Sequence, residues 1–532
     1  MRVKPAFAGR GKFVMKRIVV GISGATRAPL AVRVLEFLRD LDVEVHLVVS
    51  QWARATLLLE CGIRAEDLTR YAHQMHDASD QAATISSGSF HTDGARKKVL
   101  TTQSCPSPIR RAKPVESRIS MLLRGTCGLA LLALWTPMGL PQQTLAGGAD
   151  LFAPSSTAGK AADAQRNLPI TAFYGTEGAK ITAEAGTLVR SEPALDFVLP
   201  PGVTATRILY HTRTADNRDV LASGVVLVPY GRPPKDGWPL LAWSHGTSGV
   251  ARSCAPSLMK NLFYNWEGLY EYVMLGYAVV ATDYAGLGTE GRHAYLDMLS
   301  NGTDVINSVP AAHAAVPNLS RKWLVVGHSQ GGLSSLGVAQ LEGGIKDPDF
   351  LGTVSLAGAS DLEDGIRAVE RAKLSPVNGL LAFWVYGAKT LYPGLDLKDV
   401  LTDQALALYN ESVEDGCSAA SGAFASLPTD QMLLPGWHDN KYIKQFLTRN
   451  QPGKKPIYGP MLLVGGGDDI LFTESAGSTI FSRLCRSGGR IQRNVYPGLG
   501  HDALVYGSLR DQLQWISDRF AGRAAPGNCP AP

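Results

Sequence analysis

The sequence predicts an α/β fold in which a mostly parallel central sheet has helices on both faces and carries a helical cap insertion. The main observation is an apolar strand at 323–326 that runs through a short glycine-rich turn, 327–331, into small helix-compatible residues at 333–339. Other apolar runs also end in polar, glycine-rich loops, which is typical of strands in an open parallel sheet. The stretch between 358 and 461 is longer than one connecting helix needs, and this excess predicts the cap.

The turn at 327–331 has the pattern Gly-x-Ser-x-Gly, which places a serine on a strained corner between a strand and a helix. Gly327 and Gly331 lack the Cβ atoms that would collide where the two elements approach each other. The hydroxyl of Ser329 would then stand clear of the sheet, as a catalytic nucleophile requires. For the pentapeptide alone, a glycine-rich turn without catalysis is the alternative interpretation.

Two further polar positions follow predicted strands later in the chain, in the order serine, acid, histidine that this arrangement demands. Asp468 and Asp469 come after the strand at 461–464, and His501 follows the next predicted strand. Open α/β sheets bind their ligands at the C-terminal ends of the strands, so these side chains are expected near Ser329. There His501 would take the serine proton, and a carboxylate would hold the imidazole in the right tautomer.

A fourth element is the strand at 241–244, which runs into His245-Gly246-Thr247. A loop of this kind supplies backbone N–H groups to the negative oxygen of the tetrahedral intermediate, and losing one such donor costs about 10²–10³-fold in rate. The amides of Thr247 and Gln330 are predicted to form this oxyanion hole, and His245 is expected to brace the loop. An ordinary glycine turn is the alternative.

Residues from about 165 to 523 resemble an α/β-hydrolase of the secretory lipase or carboxylesterase type. The stretches 276–288 and 354–359 support this, because the first is a buried strand ending in a glycine-rich loop and the second is the strand after the Ser329 helix. The resemblance implies hydrolysis of carboxylic esters without a metal or an organic cofactor. Related hydrolases place an apolar residue two or three positions after the acid, which favours Asp469 over Asp468.

The N-terminal stretch is predicted to be a separate, flavodoxin-like βαβ unit, with strands near 16–26 and 43–50 and a helix at 28–38. Together with residues 86–90 it resembles the front part of a flavin prenyltransferase. In that family these loops hold flavin mononucleotide and a prenyl phosphate, since hydroxyl and N–H groups at helix N-termini cradle phosphates. The matching positions in this sequence are Ser23, Thr26, Ser50 and Ser89.

This second resemblance ends near Gly94, and the other half of the prenyltransferase fold is absent from the sequence. Arg27 also stands where the family usually has glycine, and it would crowd the phosphate-binding loop. A stretch of about 90 residues cannot complete that sheet or bury a flavin. The fragment is therefore expected to be incomplete, and no cofactor is expected for the chain.

The middle of the chain has the composition of a secretory signal peptide. Basic residues within 118–124 precede a short apolar run at 127–135, and small residues follow at 145–147. The apolar run is too short for an ordinary transmembrane helix. We therefore expect Met121 to be the true start of the hydrolase. Residues 1 to about 120 are then expected to come from a truncated neighbouring gene. A buried helix that bridges two real domains is the alternative.

We therefore expect three segments. They are a truncated flavin prenyltransferase-like fragment at 1–94, a linker with the signal-like segment at 95–147, and the α/β-hydrolase domain at 148–532. Within the hydrolase, the cap insertion is expected at about 361–455. Its apolar stretches 380–386 and 432–437 would supply walls for an acyl or aryl group, or else form the core of the cap itself.

Four cysteines follow the signal-like segment, an even number that suits disulfide formation in an oxidising compartment. Four cysteines allow three pairings, of which we expect Cys254–Cys417 and Cys485–Cys529. The first would tie the segment after the oxyanion loop to the cap, and the second would hold the proline-rich tail. Four buried free thiols are the alternative. With the signal-like segment, the cysteines predict a secreted or periplasmic hydrolase.

Composition adds little to this interpretation. The 532 residues are 45% hydrophobic and 19% charged, with a net charge of +5. The sequence predicts no basic helix, so nucleic acid is not expected as a partner. The sequence predicts a monomeric serine ester hydrolase that acts on a small-molecule or lipid-like ester through Ser329, Asp469 and His501, with no integral membrane segment in the mature hydrolase. Feruloyl- or tannin-type aryl esters and polyesters are alternative substrates, and a flavin-binding, prenyltransferase-related protein is the alternative class.

Overall fold

The computed structural model describes residues 17–22, 32, 35, 38–39, 43–49, 65–77, 168–179, 183–200, 202–262, 268–358, 361–372, 378–414, 416–418, 422–424 and 427–530. The chain divides into two compact units, Met1–Trp135 and Thr136–Pro532, and each is described by itself. The signal-like segment and the four predicted flavin contacts, Ser23, Thr26, Ser50 and Ser89, lie outside the described residues. The predicted segment boundaries near 94 and 147 lie outside them too, and they stay predictions.

The first unit contains a three-stranded parallel sheet, with β1 at Arg17–Ile22, β2 at Glu44–Val49 and β3 at Gln74–Asp77. The described residues between β1 and β2 include helical positions, among them Leu35, whose side chain is buried with those of Val45 and Leu47. Two parallel strands with helical residues between them are the predicted βαβ unit. The short strand β3 follows a 3-10 helix at Ala65–Tyr71 and is not among the predicted elements.

The second unit is built on a nine-stranded sheet. Its strands are β4 (Leu188–Pro193), β5 (Val203–Arg213), β6 (Asp219–Pro229), β7 (Trp238–Ser244), β8 (Ala278–Thr282), β9 (Leu319–His328), β10 (Phe350–Leu356), β11 (Met461–Gly466) and β12 (Ile491–Tyr496). The spatial order is β12-β11-β10-β9-β7-β8-β6-β5-β4. The six strands from β7 to β12 pair in parallel, and β6, β5 and β4 add an antiparallel edge. The mostly parallel sheet of the prediction is confirmed.

The central strands are apolar along most of their length because both of their faces are covered. In β7, Leu240 and Ala242 belong to the core on one face, while Leu241 and Trp243 belong to the core on the other. A parallel sheet needs this two-sided burial. The same pattern explains why the strands read in the sequence as continuous apolar runs.

Ten α-helices are described in the second unit. They are α1 (Leu269–Met274), α2 (Met298–Ala315), α3 (Gln330–Ile345), α4 (Leu362–Ala372), α5 (Asn378–Leu391), α6 (Asp403–Ser412), α7 (Lys441–Arg449), α8 (Glu474–Arg486), α9 (Ala503–Gly507) and α10 (Leu509–Phe520). Helices α2, α3 and α8 pack on one face of the sheet, and α1 and α10 pack on the other. In the part of the chain that the structure describes, no helix is both long and apolar enough to span a bilayer.

Helices α4 to α7 lie between β10 and β11 and form the predicted helical cap. Their hydrophobic core includes Phe383, Trp384 and Phe446, and it continues onto Met298 of α2 and Leu333 of α3. The cap is tied to the N-terminus of α2, where the Arg449 guanidinium contacts the fully buried Asp297 carboxylate at 2.7 Å. Leu362 and Leu381 of the cap line one cavity with Ser329, so the cap covers the edge of the sheet where the parallel strands end.

Candidate active site

Ser329 occupies a tight turn between β9, which ends at His328, and α3, which begins at Gln330. Its backbone has φ 57° and ψ −119°, a conformation that residues other than glycine rarely adopt. The surrounding sheet and helix hold it there, because Ser329 N–H donates to Leu356 O at 2.9 Å and Leu333 N–H donates to Ser329 O at 3.0 Å. A strained, half-exposed serine at such a corner presents its hydroxyl away from the sheet.

The two glycines of the turn allow this close approach. A Cβ atom on Gly327 would collide with the carbonyl of Gly331, and a Cβ atom on Gly331 would collide with the carbonyl of Ser244 at the end of β7. Both contacts involve backbone atoms that cannot move aside without separating strand and helix. The glycines are therefore required by packing between β7, β9 and α3.

The structure brings the predicted acid and histidine to this serine. His501 Nε2 lies 2.8 Å from Ser329 Oγ, and His501 Nδ1 lies 2.9 Å from Asp469 Oδ2. Asp469 is buried, whereas the neighbouring Asp468 is exposed. The three side chains thus form a continuous hydrogen-bonded chain from carboxylate to imidazole to hydroxyl. In this chain Nδ1–H donates to the Asp469 carboxylate, and the lone pair of Nε2 accepts the hydrogen bond from the Ser329 hydroxyl.

The second carboxylate oxygen of Asp469 is also held. Its Oδ1 accepts from the backbone N–H groups of Leu471 and Phe472, each at 2.9 Å. Burial by itself raises the pKa of the Asp469 carboxyl, but the charge of His501 and these hydrogen bonds outweigh it, so the pKa is lowered from its ordinary value. The carboxylate is therefore ionised at neutral pH and fixed in orientation.

His501 is also packed between two rings. Phe472 stacks on it with ring centroids 5.3 Å apart, and the ring of His328 lies 4.9 Å away on a tilted plane. His328 Nε2 is hydrogen-bonded to the His501 backbone carbonyl at 3.1 Å. His328, His501 and Asp502 are spaced closely enough to suggest a metal cluster, but both ring nitrogens of His501 already bond to Asp469 and Ser329. The geometry thus favours acid–base chemistry over metal ligation.

The predicted oxyanion donors, Thr247 and Gln330, line the same cavity as Ser329. Gln330 is the first residue of α3, where backbone N–H groups have no acceptor within the helix. Its side chain is turned inward, with Nε2 donating to His293 Nε2 at 2.8 Å and to Asn301 Oδ1 at 3.2 Å. Burial lowers the pKa of His293 to about 3, so its neutral ring can accept this bond. The side-chain amide of Gln330 therefore points into the protein interior, and its backbone lies at the cavity.

His245 braces the loop that carries Thr247, in agreement with the role expected for it. The buried ring is 2.6 Å from Gly246 O through Nδ1 and 3.3 Å from Asp283 O through Nε2. Burial lowers the pKa of His245, so the ring is neutral and its single proton is best placed on the shorter contact, to Gly246 O. A peptide unit is planar and trans, so the Thr247 N–H points away from the Gly246 carbonyl that His245 holds.

An open cavity adjoins Ser329, with about 570 Å³ of unfilled space that includes its mouth toward solvent. Among the described residues that line it, only Thr247, Tyr295, Ser329 and Gln330 carry hydroxyl or side-chain amide groups. The apolar lining comes from Leu296, Leu362, Ile366, Leu380, Leu381, Trp384, Leu471 and Phe472, with Gly365 between them. No charged side chain is among them. The cavity is therefore suited to an uncharged, apolar group attached to the reacting carbonyl.

Of the two apolar cap stretches singled out in the sequence, the first contributes to this lining and the second does not. Leu380, Leu381 and Trp384 line the cavity. Met432 and Trp437 are instead buried in the core of the cap. The helical period explains the difference, since α5 turns one side toward the cavity, whereas the side chains of Met432 and Trp437 pack inside the cap.

Several lining residues were not identified from the sequence. Tyr295 and Leu296 lie before α2, and Leu362 and Ile366 lie on α4. Leu471 and Phe472 were noted only for their spacing after Asp469. No local pattern marks such residues, because the cap and the sheet loops contribute to one surface from distant parts of the chain.

Both expected disulfides are present. Cys254 is bonded to Cys417, 163 residues later, and Cys485 is bonded to Cys529. The first connects the loop after β7 to the cap, and the second connects the last turn of α8 to the C-terminal tail. The predicted pairing is confirmed, and four free thiols are excluded.

The fold and the site define a class of protein, and comparison with known families agrees with it. Residues 267–528 match the sequence model of the secretory lipase family. This stretch contains the Ser329 turn, the cap and the loops that carry Asp469 and His501. The second unit has an α/β-hydrolase fold, and together with the match to the secretory lipase model this supports a carboxylic ester hydrolase.

Solved structures share this fold. The rice cell wall degrading esterase LipA from Xanthomonas oryzae is 19% identical, with a TM-score of 0.54 over 64% of this chain and 98% of that protein. Lipase A from Candida antarctica, in its closed state, is 16% identical, with a TM-score of 0.57 over 69% of this chain and 90% of that protein. At these identities the similarity establishes the α/β-hydrolase fold.

The N-terminal region is similar to a different group of proteins. It is 54% identical over 79 residues to a probable UbiX-like flavin prenyltransferase of Streptomyces sp. (strain D7), covering 15% of this chain and 40% of that protein. Over 81 residues it is 54% identical to the flavin prenyltransferase UbiX of Escherichia coli (strain K12), covering 43% of that protein. The chain thus spans about two fifths of the length of these curated relatives, and the resemblance to a prenyltransferase fragment is confirmed.

Proposed function

We propose that this protein hydrolyses carboxylic esters through a covalent acyl-enzyme, with Ser329 as nucleophile, His501 as general base and acid, and Asp469 as the group that orients the imidazole. One observation carries the proposal. His501 forms hydrogen bonds of 2.8 Å to Ser329 Oγ and 2.9 Å to Asp469 Oδ2, and the serine occupies a strained corner between strand and helix.

In the first half of the reaction, Ser329 Oγ attacks the ester carbonyl while its proton passes to His501 Nε2. The imidazolium that forms is stabilised by the ionised Asp469, which keeps the second proton on Nδ1. The carbonyl oxygen becomes negatively charged, and the backbone N–H groups of Thr247 and Gln330 are proposed to stabilise it. His501 then gives its proton to the leaving alcohol, which departs as the acyl-enzyme forms.

In the second half, a water molecule takes the place of the alcohol. His501 Nε2 removes a proton from this water as it attacks the acyl carbonyl, and the same N–H groups stabilise the second tetrahedral intermediate. The proton returns to Ser329 Oγ when the carboxylic acid is released. The imidazole therefore has the same state before and after one turnover.

The cavity indicates the substrate class. The described part of its lining is apolar and contains no lysine, arginine or acidic residue, so a neutral ester with an apolar acyl or aryl group fits it better than a charged substrate. Trp384 and Phe472 provide aromatic surfaces in the lining, so aryl esters are proposed as substrates as well as aliphatic esters. One structural neighbour is described as an esterase that degrades rice cell walls, which makes plant aryl esters a worthwhile second series to assay.

We further propose that the hydrolase part acts outside the cytoplasm, in the periplasm or the medium. The two disulfides suit an oxidising compartment, and the matching family is described as secretory. The N-terminal fragment takes no part in this proposed activity. The flavin-binding alternative predicts yellow protein, with absorbance near 450 nm, so a colourless purified chain would count against it.

The direct test is labelling of the full chain with a fluorophosphonate probe, followed by hydrolysis of a chain-length series of p-nitrophenyl esters and of a feruloyl ester. We expect probe incorporation at Ser329 and measurable turnover on at least one neutral ester. The matched control is Ser329→Ala, which should lose labelling and turnover while its thermal unfolding stays nearly unchanged, since the serine side chain is small and half-exposed. Turnover retained by Ser329→Ala would refute the proposed nucleophile.

A further inference from the structure

Two cap residues, Cys417 and Ser418, contact the loop that carries the proposed oxyanion donor Thr247. Ser418 Oγ donates to Thr247 O at 2.7 Å, and Ser418 N–H donates to Ser248 O at 3.0 Å. Cys417 then pairs with Gly249 in an antiparallel bridge. Three successive loop residues are thus held by two residues that lie about 170 positions later in the chain.

A disulfide links the same two segments covalently. Cys417 is bonded to Cys254, which lies in the same loop region, just after Gly249. Gly249 has φ 131°, and a Cβ atom there would lie 2.7 Å from Cys254 Sγ and would also crowd the Cys417 backbone. The loop therefore passes directly against the disulfide, in a conformation and a space that only glycine fits.

These contacts restrain the peptide units on both sides of Thr247. His245 holds the carbonyl of Gly246 and so fixes the plane that contains the Thr247 N–H. Ser418 holds the carbonyl of Thr247 and so fixes the next plane. Since peptide units are planar, restraining both planes also restrains φ and ψ of Thr247. Oxyanion donors contribute most when they are held in place before the charge develops.

We propose that the segment Cys417–Ser418, anchored by its disulfide to Cys254, is a clip that positions the Thr247 amide for transition-state stabilisation. This inference rests on the proposed ester hydrolysis at Ser329. Cys417 and Ser418 are positioning residues, because they act through the loop backbone and not on the substrate. The clip also couples the cap to catalysis, since the same insertion that lines the cavity holds the oxyanion loop.

The test compares the steady-state parameters of full-chain variants on one p-nitrophenyl ester. Ser418→Ala removes the hydroxyl that holds Thr247 O, and Ser418→Thr retains it. Loss of one such hydrogen bond should lower kcat roughly tenfold. We expect KM to stay close to the wild-type value, because the cavity walls are unchanged, and we expect Ser418→Thr to recover most of the lost turnover.

The two disulfides supply a matched pair of further variants. The double variant Cys254→Ser/Cys417→Ser opens the clip, whereas Cys485→Ser/Cys529→Ser opens a disulfide of similar type between α8 and the tail. Both are assayed below their unfolding transitions, because loss of either disulfide is expected to lower stability. The first should reduce kcat by up to about 10²-fold, near the effect of losing one oxyanion donor, and the second should leave kcat near wild type.

The outcomes separate this inference from the proposed function. An inactive wild-type chain, or an active Ser329→Ala variant, would refute the proposed function, and the proposed clip would be refuted with it. With ester hydrolysis by Ser329 established, an unchanged kcat in Ser418→Ala would overturn the clip alone. Equal losses of kcat in the two disulfide variants would also overturn it, because they would indicate a general effect on stability.

Discussion

Replacing Asp469 by asparagine tests the relay at its most specific point. The carboxylate uses Oδ2 for His501 Nδ1, while Oδ1 accepts from the Leu471 and Phe472 amides. In Asp469→Asn the amide oxygen is expected to keep the two backbone donors, because an NH₂ group there would face two N–H groups. The NH₂ group then faces His501. It has nearly the same size as the carboxylate oxygen that it replaces, but it donates a hydrogen bond where that oxygen accepted one.

The expected effect follows from the histidine tautomer. With an NH₂ donor at 2.9 Å, Nδ1 must accept, so the ring proton moves to Nε2. A protonated Nε2 cannot take the proton of Ser329, and the nucleophile is not activated. In serine proteases the equivalent change lowers kcat by about 10⁴-fold, and we expect a loss of this order in Asp469→Asn.

Asp468→Asn is the matched control, since it makes the same chemical change one residue earlier on an exposed side chain. Turnover of both variants is measured on the same short p-nitrophenyl ester, and their unfolding temperatures are compared with that of the wild type. We expect Asp468→Asn to keep most of its activity and both variants to remain folded. An inactive Asp468→Asn beside an active Asp469→Asn would show that the structural assignment of the acid is wrong.

Three other predictions concern the fragment, the cavity and pH. Deleting residues 1–120 should leave ester hydrolysis intact, and a soluble but inactive truncated protein would show that the fragment is a functional domain. Leu380→Phe should shift the preferred acyl chain of the p-nitrophenyl series to shorter lengths, because a larger ring occupies the cavity; an unchanged preference would place the acyl chain elsewhere. Burial raises the pKa of Asp304 from 3.8 to about 7, so its contribution to stability is full below pH 3.8 and is lost as pH rises through about 7. The unfolding temperature of Asp304→Asn minus that of the wild type should therefore increase from pH 5 to pH 8. A difference that stays constant across that range would contradict the raised pKa.

Much of the fold and the position of the candidate site could be predicted from the sequence because the relevant signals are local. The turn at Ser329 joins a strand to a helix within a few residues, and its Gly-x-Ser-x-Gly pattern is visible in five consecutive residues, although Gly331 is also required by its contact with Ser244 of β7. The order of serine, acid and histidine places each residue after a strand, and parallel strands end at one edge of the sheet. The disulfide pairing agrees with the structure as well, and it followed from where the expected fold places the four cysteines.

Other features depended on contacts between residues far apart in the chain, and only the tertiary structure decided them. Asp468 and Asp469 have the same chemistry, and it is burial against the His501 loop that brings Asp469, not its neighbour, to the imidazole. The cavity combines sheet loops with one side of α5, so its lining has no sequence pattern of its own. The contact of Ser418 with Thr247 joins residues 171 positions apart, and such a contact exists only when the cap is folded onto the sheet. Local propensity determines strands and turns, whereas the choice among chemically equal side chains is made by packing.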